Sequence, residues 1–182
     1  MTKVSAGEKR GFRLKSVKSK HLRPLTNKVK DAIFNIIGDL SSYPVVLDLF
    51  AGTGSFGFEA LSRGAKICYF VELNKRIFRI LEENCKILGY TNNVKLFNAD
   101  AFRIIAKTTK QFDIIFVAPP QFKGMAFRAM SEIFARPNIV KPSGLVIAQV
   151  DRREDLRISP TYFRLFDDRI YGDTRILFYE RI

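Results

Sequence analysis

The sequence predicts an α/β fold built on an open, mostly parallel sheet. Three observations carry this. Short apolar runs alternate with amphipathic segments, the pattern of βαβ units. The run Val45-Val46-Leu47-Asp48-Leu49-Phe50 passes into a small-residue turn, Ala51 to Gly57, and then into amphipathic Phe58-Glu59-Ala60-Leu61. Two late runs, 161–166 and 175–180, have little between them beyond Tyr171-Gly172-Asp173-Thr174, and read as an antiparallel hairpin closing the sheet.

In chain order, residues 2–5 and 11–15 read as a short basic hairpin around Gly7 and Gly11, with Val4, Phe12 and Leu14 in partial alternation. Ser16 to Arg23 is a basic loop without periodicity; its His21 reads as an exposed residue with no chemistry. A helix follows. Thr26 or Asn27 caps it, Val29, Ala32, Ile33, Ile36 and Ile37 recur at helical spacing, and Gly38 is near its stop. Strands are expected at 45–50, 67–71, 94–97 and 112–117, with helices at 55–63, 74–88 and 101–107 between them. A helix at 125–135 leads through Pro142-Ser143-Gly144 to a strand at 145–150. The chain has no repeats, low-complexity segments or flexible linker. It reads as one domain over 1–182, with 1–24 a basic appendage and 25–182 the core.

Bulk properties narrow the function. A chain of 182 residues with 47% hydrophobic content buries a good core. No apolar run approaches the ~18 residues of a membrane span, and the N-terminus lacks the apolar centre of a secretory signal; the expected compartment is the cytoplasm. Cys68 and Cys85 match no metal spacing and His21 is the single histidine, so no metal site is expected, and the thiols read as buried and reduced. The net charge is +13. Residues 1–30 hold ten cations against Glu8 alone, a local +9, which points to a polyanionic partner. Lys9, Arg10, Arg13, Lys15, Lys18, Lys20 and Arg23 are the candidates for holding nucleic-acid phosphates. Thr26 joins them at a helix entrance, where free N–H groups suit an anion.

The turn after the first strand is a nucleotide-type site. Gly52, Gly54 and Gly57 fit G-x-G-x-x-G, and glycine lets the backbone approach a ligand closely. Asp48 selects between cofactors. A pyrophosphate is anionic and would be repelled by an acid at its doorstep, whereas a carboxylate suits the cationic amino-acid end of S-adenosylmethionine. Glu72 closes the next apolar run, followed by Leu73, and suits ribose hydroxyls in either cofactor class. After the third strand Asp100 offers an acceptor to an adenine amino group and Ala101 a backbone N–H, while Asp100 equally reads as a helix cap. Phe50 and Phe102 read either as walls of the adenine site or as plain core.

Taken together, the chain resembles the class I S-adenosylmethionine-dependent methyltransferases, and more narrowly the RsmD family of bacterial small-subunit ribosomal RNA guanine-N2 methyltransferases. The resemblance covers nearly the whole chain. It rests on Ser5-Ala6-Gly7-Glu8-Lys9-Arg10-Gly11, Arg23-Pro24-Leu25-Thr26 with Val29 and Ala32-Ile33-Phe34-Asn35, Leu47 to Gly54, Glu59 to Ala65, and Tyr171-Gly172-Asp173-Thr174. It implies a Rossmann-like, mostly parallel seven-stranded sheet and methyl transfer to a guanine exocyclic amine. It also implies that Asp48, Gly52, Gly54, Glu72 and Asp100 hold the cofactor, that the basic hairpin holds RNA, and that the protein is a monomer acting on a small-subunit particle.

One departure stands out. The family's catalytic motif is Asp or Asn, Pro, Pro, then Tyr or Phe; here it is Ala118-Pro119-Pro120-Gln121-Phe122. A guanine amine conjugates with its ring and is a poor nucleophile. An acceptor side chain and a backbone carbonyl take its two hydrogens, and an aromatic stacks on the flipped base. Ala118 removes the side-chain acceptor. The Pro119 carbonyl and the rigid Pro-Pro geometry remain. Either Gln121 supplies an amide oxygen and Phe122 stacks, or the chain binds RNA without modifying it, as a ribosome-assembly protein would. A nicotinamide-dependent oxidoreductase is a third reading, disfavoured by the basic N-terminus and Asp48.

Overall fold

The structure, a computed structural model, describes residues 2–17, 25–121, 123–156 and 158–182. Strands β1 (Val45–Asp48), β2 (Ile67–Val71), β3 (Val94–Phe97), β4 (Phe112–Val117) and β5 (Val140–Asp151) run parallel to their neighbours. β6 (Phe163–Tyr171) and β7 (Thr174–Arg181) form a hairpin, with β7 antiparallel to β5, and the sheet order is β3-β2-β1-β4-β5-β7-β6. The expected α/β fold, a mostly parallel seven-stranded sheet with an antiparallel C-terminal hairpin, is therefore observed. Strand order reverses between β1 and β4, which opens a crevice beyond their carboxyl ends.

Among the described residues, five α-helices cover the sheet: α1 (Asn27–Ile37), α2 (Ser55–Ser62), α3 (Lys75–Leu88), α4 (Ala101–Lys107) and α5 (Met125–Phe134). Helices α1, α2 and α3 pack one face through Ile33, Phe34, Phe56, Phe58 and Leu81, against Val46, Phe70, Phe116 and Ile147 of the strands. The aromatic stack Phe34–Phe56–Phe116, with centroids 5.0 and 3.9 Å apart, ties α1 and α2 to β4. Helices α4 and α5 pack the other face through Ile105, Met130 and Ile133, against Leu47, Ile115 and Val146. Every residue of β4 is buried, which explains its continuous apolar run.

Several boundaries differ from the sequence reading. β1 ends at Asp48, because Leu49 and Phe50 already belong to the turn. β5 begins at Val140, not 145. Between the pairs Phe112–Val140 and Ile114–Leu145 the register shifts, and Pro142-Ser143-Gly144 form an irregular stretch inside the strand. Lys141 from this stretch pairs with Asp113 at 2.9 Å, and Asp113 also accepts the Val45 N–H at 2.8 Å. β6 extends to Tyr171, beyond the expected 166, since its second half lies on the sheet edge and is held by charge pairs such as Asp168–Arg175 at 2.6 Å.

The basic N-terminal hairpin is present in reduced form. Lys3 and Arg13 make a single antiparallel bridge, with Val4 N–H to the Phe12 carbonyl and Leu14 N–H to the Thr2 carbonyl, both 2.9 Å. The arm is not a free appendage: Val4 and Leu14 are buried in the α1–α2–α3 face. No helix among the described residues is long and apolar enough to cross a membrane.

Candidate functional site

The crevice is built from the turns that follow β1, β2, β3 and β4. In the first, Gly52 has φ +55° and Gly54 φ +90°, conformations that favour glycine. A Cβ on Gly52 would meet nothing within 4 Å, so that side of the turn is open. A Cβ on Gly54 would come within 2.7 Å of Phe58 and Leu81, and one on Gly57 within 2.6 Å of Phe70 and Cys68. The three glycines thus serve different ends: open approach at Gly52, and close helix–sheet packing at Gly54 and Gly57.

Asp48 is 1% exposed and lies beneath the turn, where its carboxylate accepts the Gly57 N–H at 3.1 Å. Burial pushes its pKa up to about 7, against the Gly57 hydrogen bond and with the Glu72 charge adding to the rise. Glu72 accepts from Gly52 N–H at 2.9 Å and Asn74 N–H at 2.7 Å. It thereby ties the second turn to the first, and burial raises its pKa also. Its carboxylate keeps acceptor capacity for a hydroxyl. Leu73 beside it is 65% exposed. Asn98 donates to the carbonyls of Glu72 and Leu73 at 2.8 and 3.0 Å, so the loops after β2 and β3 are locked together. Ser55, the first residue of α2, has a buried hydroxyl oxygen with no hydrogen-bond partner.

Asp100 caps α4, accepting the Arg103 N–H at 3.1 Å. Ala101, the first helical residue, is buried. The rings of Phe50 and Phe102 meet edge to face at 6.1 Å, and the Arg128 guanidinium lies 3.8 Å from the Phe102 centroid. A groove of about 610 Å³ opens between α4 and α5, lined in part by Asp100, Phe102, Arg103, Arg128, Glu132 and Arg136. It meets the crevice at Asp100 and Phe102; the turns after β1 and β2 do not line it.

At the end of β4, Ala118 and Pro120 are half-buried, Pro119 is buried and Gln121 is half-buried in a turn. Phe122 lies outside the described residues. Ala118 packs against the cluster holding Phe116 and Ile147.

The arm carries most of what the sequence reading did not find. Glu59 of α2 is fully buried and accepts the N–H groups of Ser5 and Ala6 at 2.8 and 3.0 Å. It pairs with buried Lys30 of α1 at 2.9 Å and with Arg63 at 2.7 Å. Lys30 also donates to the Lys3 carbonyl at 2.5 Å. Ser62 Oγ donates to the Ala6 carbonyl and accepts the Lys9 N–H, at 2.6 and 2.9 Å. Gly7, with φ +78°, passes so close that a Cβ would fall 1.7 Å from the Ser62 carbonyl oxygen. Asn84 of α3, fully buried, brackets Lys15 and also donates to Thr53 in the glycine turn at 2.9 Å. Nothing in the sequence marked Lys30, Glu59 and Asn84, since polar residues in a helix read as solvent-facing until the structure shows them buried.

Arg10, Arg13 and Lys15 are exposed on this arm. Lys15 pairs with Glu83 at 2.9 Å, and Lys9 pairs with Glu8 at 2.6 Å and lies 5.6 Å from the Tyr90 centroid. Thr26 spends its hydroxyl on capping α1, accepting the Val29 N–H at 3.4 Å. Lys18, Lys20, Arg23 and the loop histidine His21 lie outside the described residues. Cys68 and Cys85 are buried free thiols.

Comparisons with known proteins converge. The family model described as Conserved hypothetical protein 95 matches residues 2–180. YlbH of Bacillus subtilis (strain 168), whose name proposes an rRNA methyltransferase, is 33% identical over 182 residues, covering 98% of each chain. Ribosomal RNA small subunit methyltransferase D of Haemophilus influenzae is 32% identical over 173 residues, with 93% of this chain and 89% of that protein covered. The crystal structure of a proposed methylase from Haemophilus influenzae superposes with a TM-score of 0.84 at 28% identity, over 100% of this chain and 98% of that one.

Proposed function

This chain belongs to the RsmD family of small-subunit ribosomal RNA methyltransferases, and from that premise we propose that it transfers a methyl group from S-adenosylmethionine to the exocyclic N2 amine of a guanine in small-subunit ribosomal RNA. The observation that carries the cofactor reading is the crevice bounded by the Gly52–Gly54 turn and Glu72, with Asp48 buried beneath the turn. The residues fit this group in chemistry. The orphaned Ser55 hydroxyl and the open face of Gly52 leave a place for a polar ligand, and Glu72 keeps acceptor capacity for ribose hydroxyls. Asp48 supplies negative potential for a cationic ligand, and Asp100 and Ala101 offer an acceptor and a donor for adenine. Phe50, Phe102 and Leu73 provide apolar surface around it.

S-adenosylmethionine brings an activated methyl group on a sulfonium. The rest falls to the chain. The Pro119 carbonyl takes one hydrogen of the target amine. An amide oxygen must take the other, and by chain order Gln121 is the candidate. With both hydrogens held, the nitrogen lone pair turns out of conjugation and toward the methyl carbon. With S-adenosylmethionine bound, that lone pair would face its methyl carbon, the sulfonium would supply the leaving group, and the amine proton released would pass to water. Positioning does much of this work. Phe122 stacks on the extruded base. Lys9, Arg10, Arg13, Lys15, Lys18, Lys20 and Arg23 hold RNA phosphates, with Thr26 at the helix entrance, within a small-subunit particle in the cytoplasm; the protein acts as a monomer. Residues 1–24 then serve RNA, and 25–182 serve cofactor and chemistry.

Titration calorimetry with S-adenosylmethionine against NAD tests the cofactor: binding of NAD alone would contradict this reading. If Gln121 holds that hydrogen, Gln121→Ala lowers methyl transfer by roughly 10²-fold, by analogy with losing one positioned group at a reacting centre. Cofactor affinity should hardly move. Unchanged turnover removes Gln121 from the mechanism.

A further inference from the structure

A second glutamine stands closer to the vacated position than chain order suggests. β4 and β5 run parallel with Val117 opposite Ala148, so the next residues, Ala118 and Gln149, fall side by side. Side chains alternate along strands, and Gln149 shares its face with Ile147 and Leu145. Ile147 and Leu145 pack in the same cluster that Ala118 and Phe116 join. The two backbones are about 4.8 Å apart at strand spacing, a distance that glutamine's side chain spans.

Gln149 is only 8% exposed, and its Oε1 is buried with no hydrogen-bond partner. A buried acceptor without a donor costs stability. A residue kept for packing alone would carry leucine or methionine there, at similar volume and without that cost. The orphaned oxygen therefore points to a donor brought by a ligand. On the same face and the same carboxyl edge stand Asp48, one strand further on and opposite Phe116, and the Pro119 turn.

We infer that Gln149 is a catalytic residue: its amide oxygen, in place of that of Gln121, accepts an N–H of the target amine where the Ala118 methyl offers none. This rests on the methyl-transfer reading above. It assigns the site to a target atom that carries a hydrogen-bond donor, as an exocyclic amine does, and not to a ring carbon.

Single-turnover methyl transfer from labelled S-adenosylmethionine to small-subunit RNA particles, read for the parent, Gln149→Leu, Gln149→Met and Gln149→Leu with Ala118→Asn, decides it. Gln149→Leu and Gln149→Met should each lose about 10²-fold in rate, keep the parent's affinity for S-adenosylhomocysteine within about twofold, and melt no lower than the parent. Ala118→Asn should restore at least about tenfold in the Leu background by returning an acceptor to the β4 end. Transfer at the parent's rate in Gln149→Leu overturns the assignment and leaves the proposed reaction standing. A rate loss matched by lowered melting and weakened cofactor binding overturns it as well, since that is the signature of a structural residue. A parent that binds S-adenosylmethionine and transfers nothing overturns the reaction and this role together.

Discussion

Asn84 holds Lys15 by both of its backbone groups. Its Oδ1 accepts the Lys15 N–H at 2.8 Å and its Nδ2 donates to the Lys15 carbonyl at 3.0 Å. The same Nδ2 donates to Thr53 in the glycine turn. One buried carboxamide therefore joins the basic arm to the loop of the cofactor crevice. Asn84→Leu leaves three backbone groups without partners, and a buried unsatisfied group costs about 1–3 kcal/mol. The expected outcome is a lower melting temperature together with weaker RNA binding, read by thermal unfolding and filter binding. Binding at the parent's affinity would show that the arm needs no anchor there.

The Lys30–Glu59 pair should dominate the arm's stability. Both side chains are fully buried. Burial works to raise the Glu59 pKa, but Lys30, the Ser5 N–H and Arg63 outweigh it and hold the carboxyl below the ordinary range. Its stabilisation is present above the usual glutamate pKa and is lost as pH falls through the lowered folded value. Lys30→Met leaves the buried carboxylate with Arg63 as its remaining cation and should cost about 3–5 kcal/mol, measured by urea unfolding at neutral pH. The double variant with Glu59→Gln should recover only part, since Glu59 also holds Ser5 and Ala6.

Asp48 acts in the opposite sense. Its folded pKa of about 7 lies above its unfolded value. Between roughly pH 4 and 7 the folded chain keeps a proton that the unfolded chain has released, so stability falls as pH rises through this window. Asp48→Asn should gain stability over the parent from pH 5 to pH 8, by up to about 4 kcal/mol, and lose affinity for a cationic cofactor. The parent's affinity should rise with pH through 7, and that of the Asn variant should stay flat. Unfolding curves and calorimetry at the two pH values check both.

The same residues show what a sequence can reveal. β2, β3 and β4 were legible because their apolar runs are short and bounded, and the Gly52–Gly57 turn because its spacing serves local geometry. The early start of β5 was hidden by Pro142 and Gly144, which read as a turn and lie inside the strand. The end of β6 was hidden because an edge strand tolerates charges such as Asp167, Asp168 and Arg169. Around the candidate site, Asp48, Glu72 and Asp100 were legible as acids at strand ends. Lys30, Glu59, Asn84 and Gln149 were not, because a buried polar residue looks like a surface one until its partner, distant in sequence, is in place.

The exposed cations of the arm should act electrostatically. Reversing Arg10, Arg13 and Lys15 to Glu should weaken RNA binding and flatten its dependence on salt, by about one unit of log–log slope for each phosphate no longer neutralised. Filter binding across a salt series reads this, with cofactor affinity expected to hold. A slope equal to the parent's would show that these three side chains do not neutralise phosphates.

Central to all of this is transfer to a guanine amine. The direct measurement is incubation of the protein with tritiated S-adenosylmethionine and small-subunit particles that lack the modification, followed by digestion of the RNA to nucleosides. Label in N2-methylguanosine is the expected result. Cofactor bound and RNA bound, with no label in any nucleoside, would contradict it and leave an RNA-binding protein on a methyltransferase scaffold.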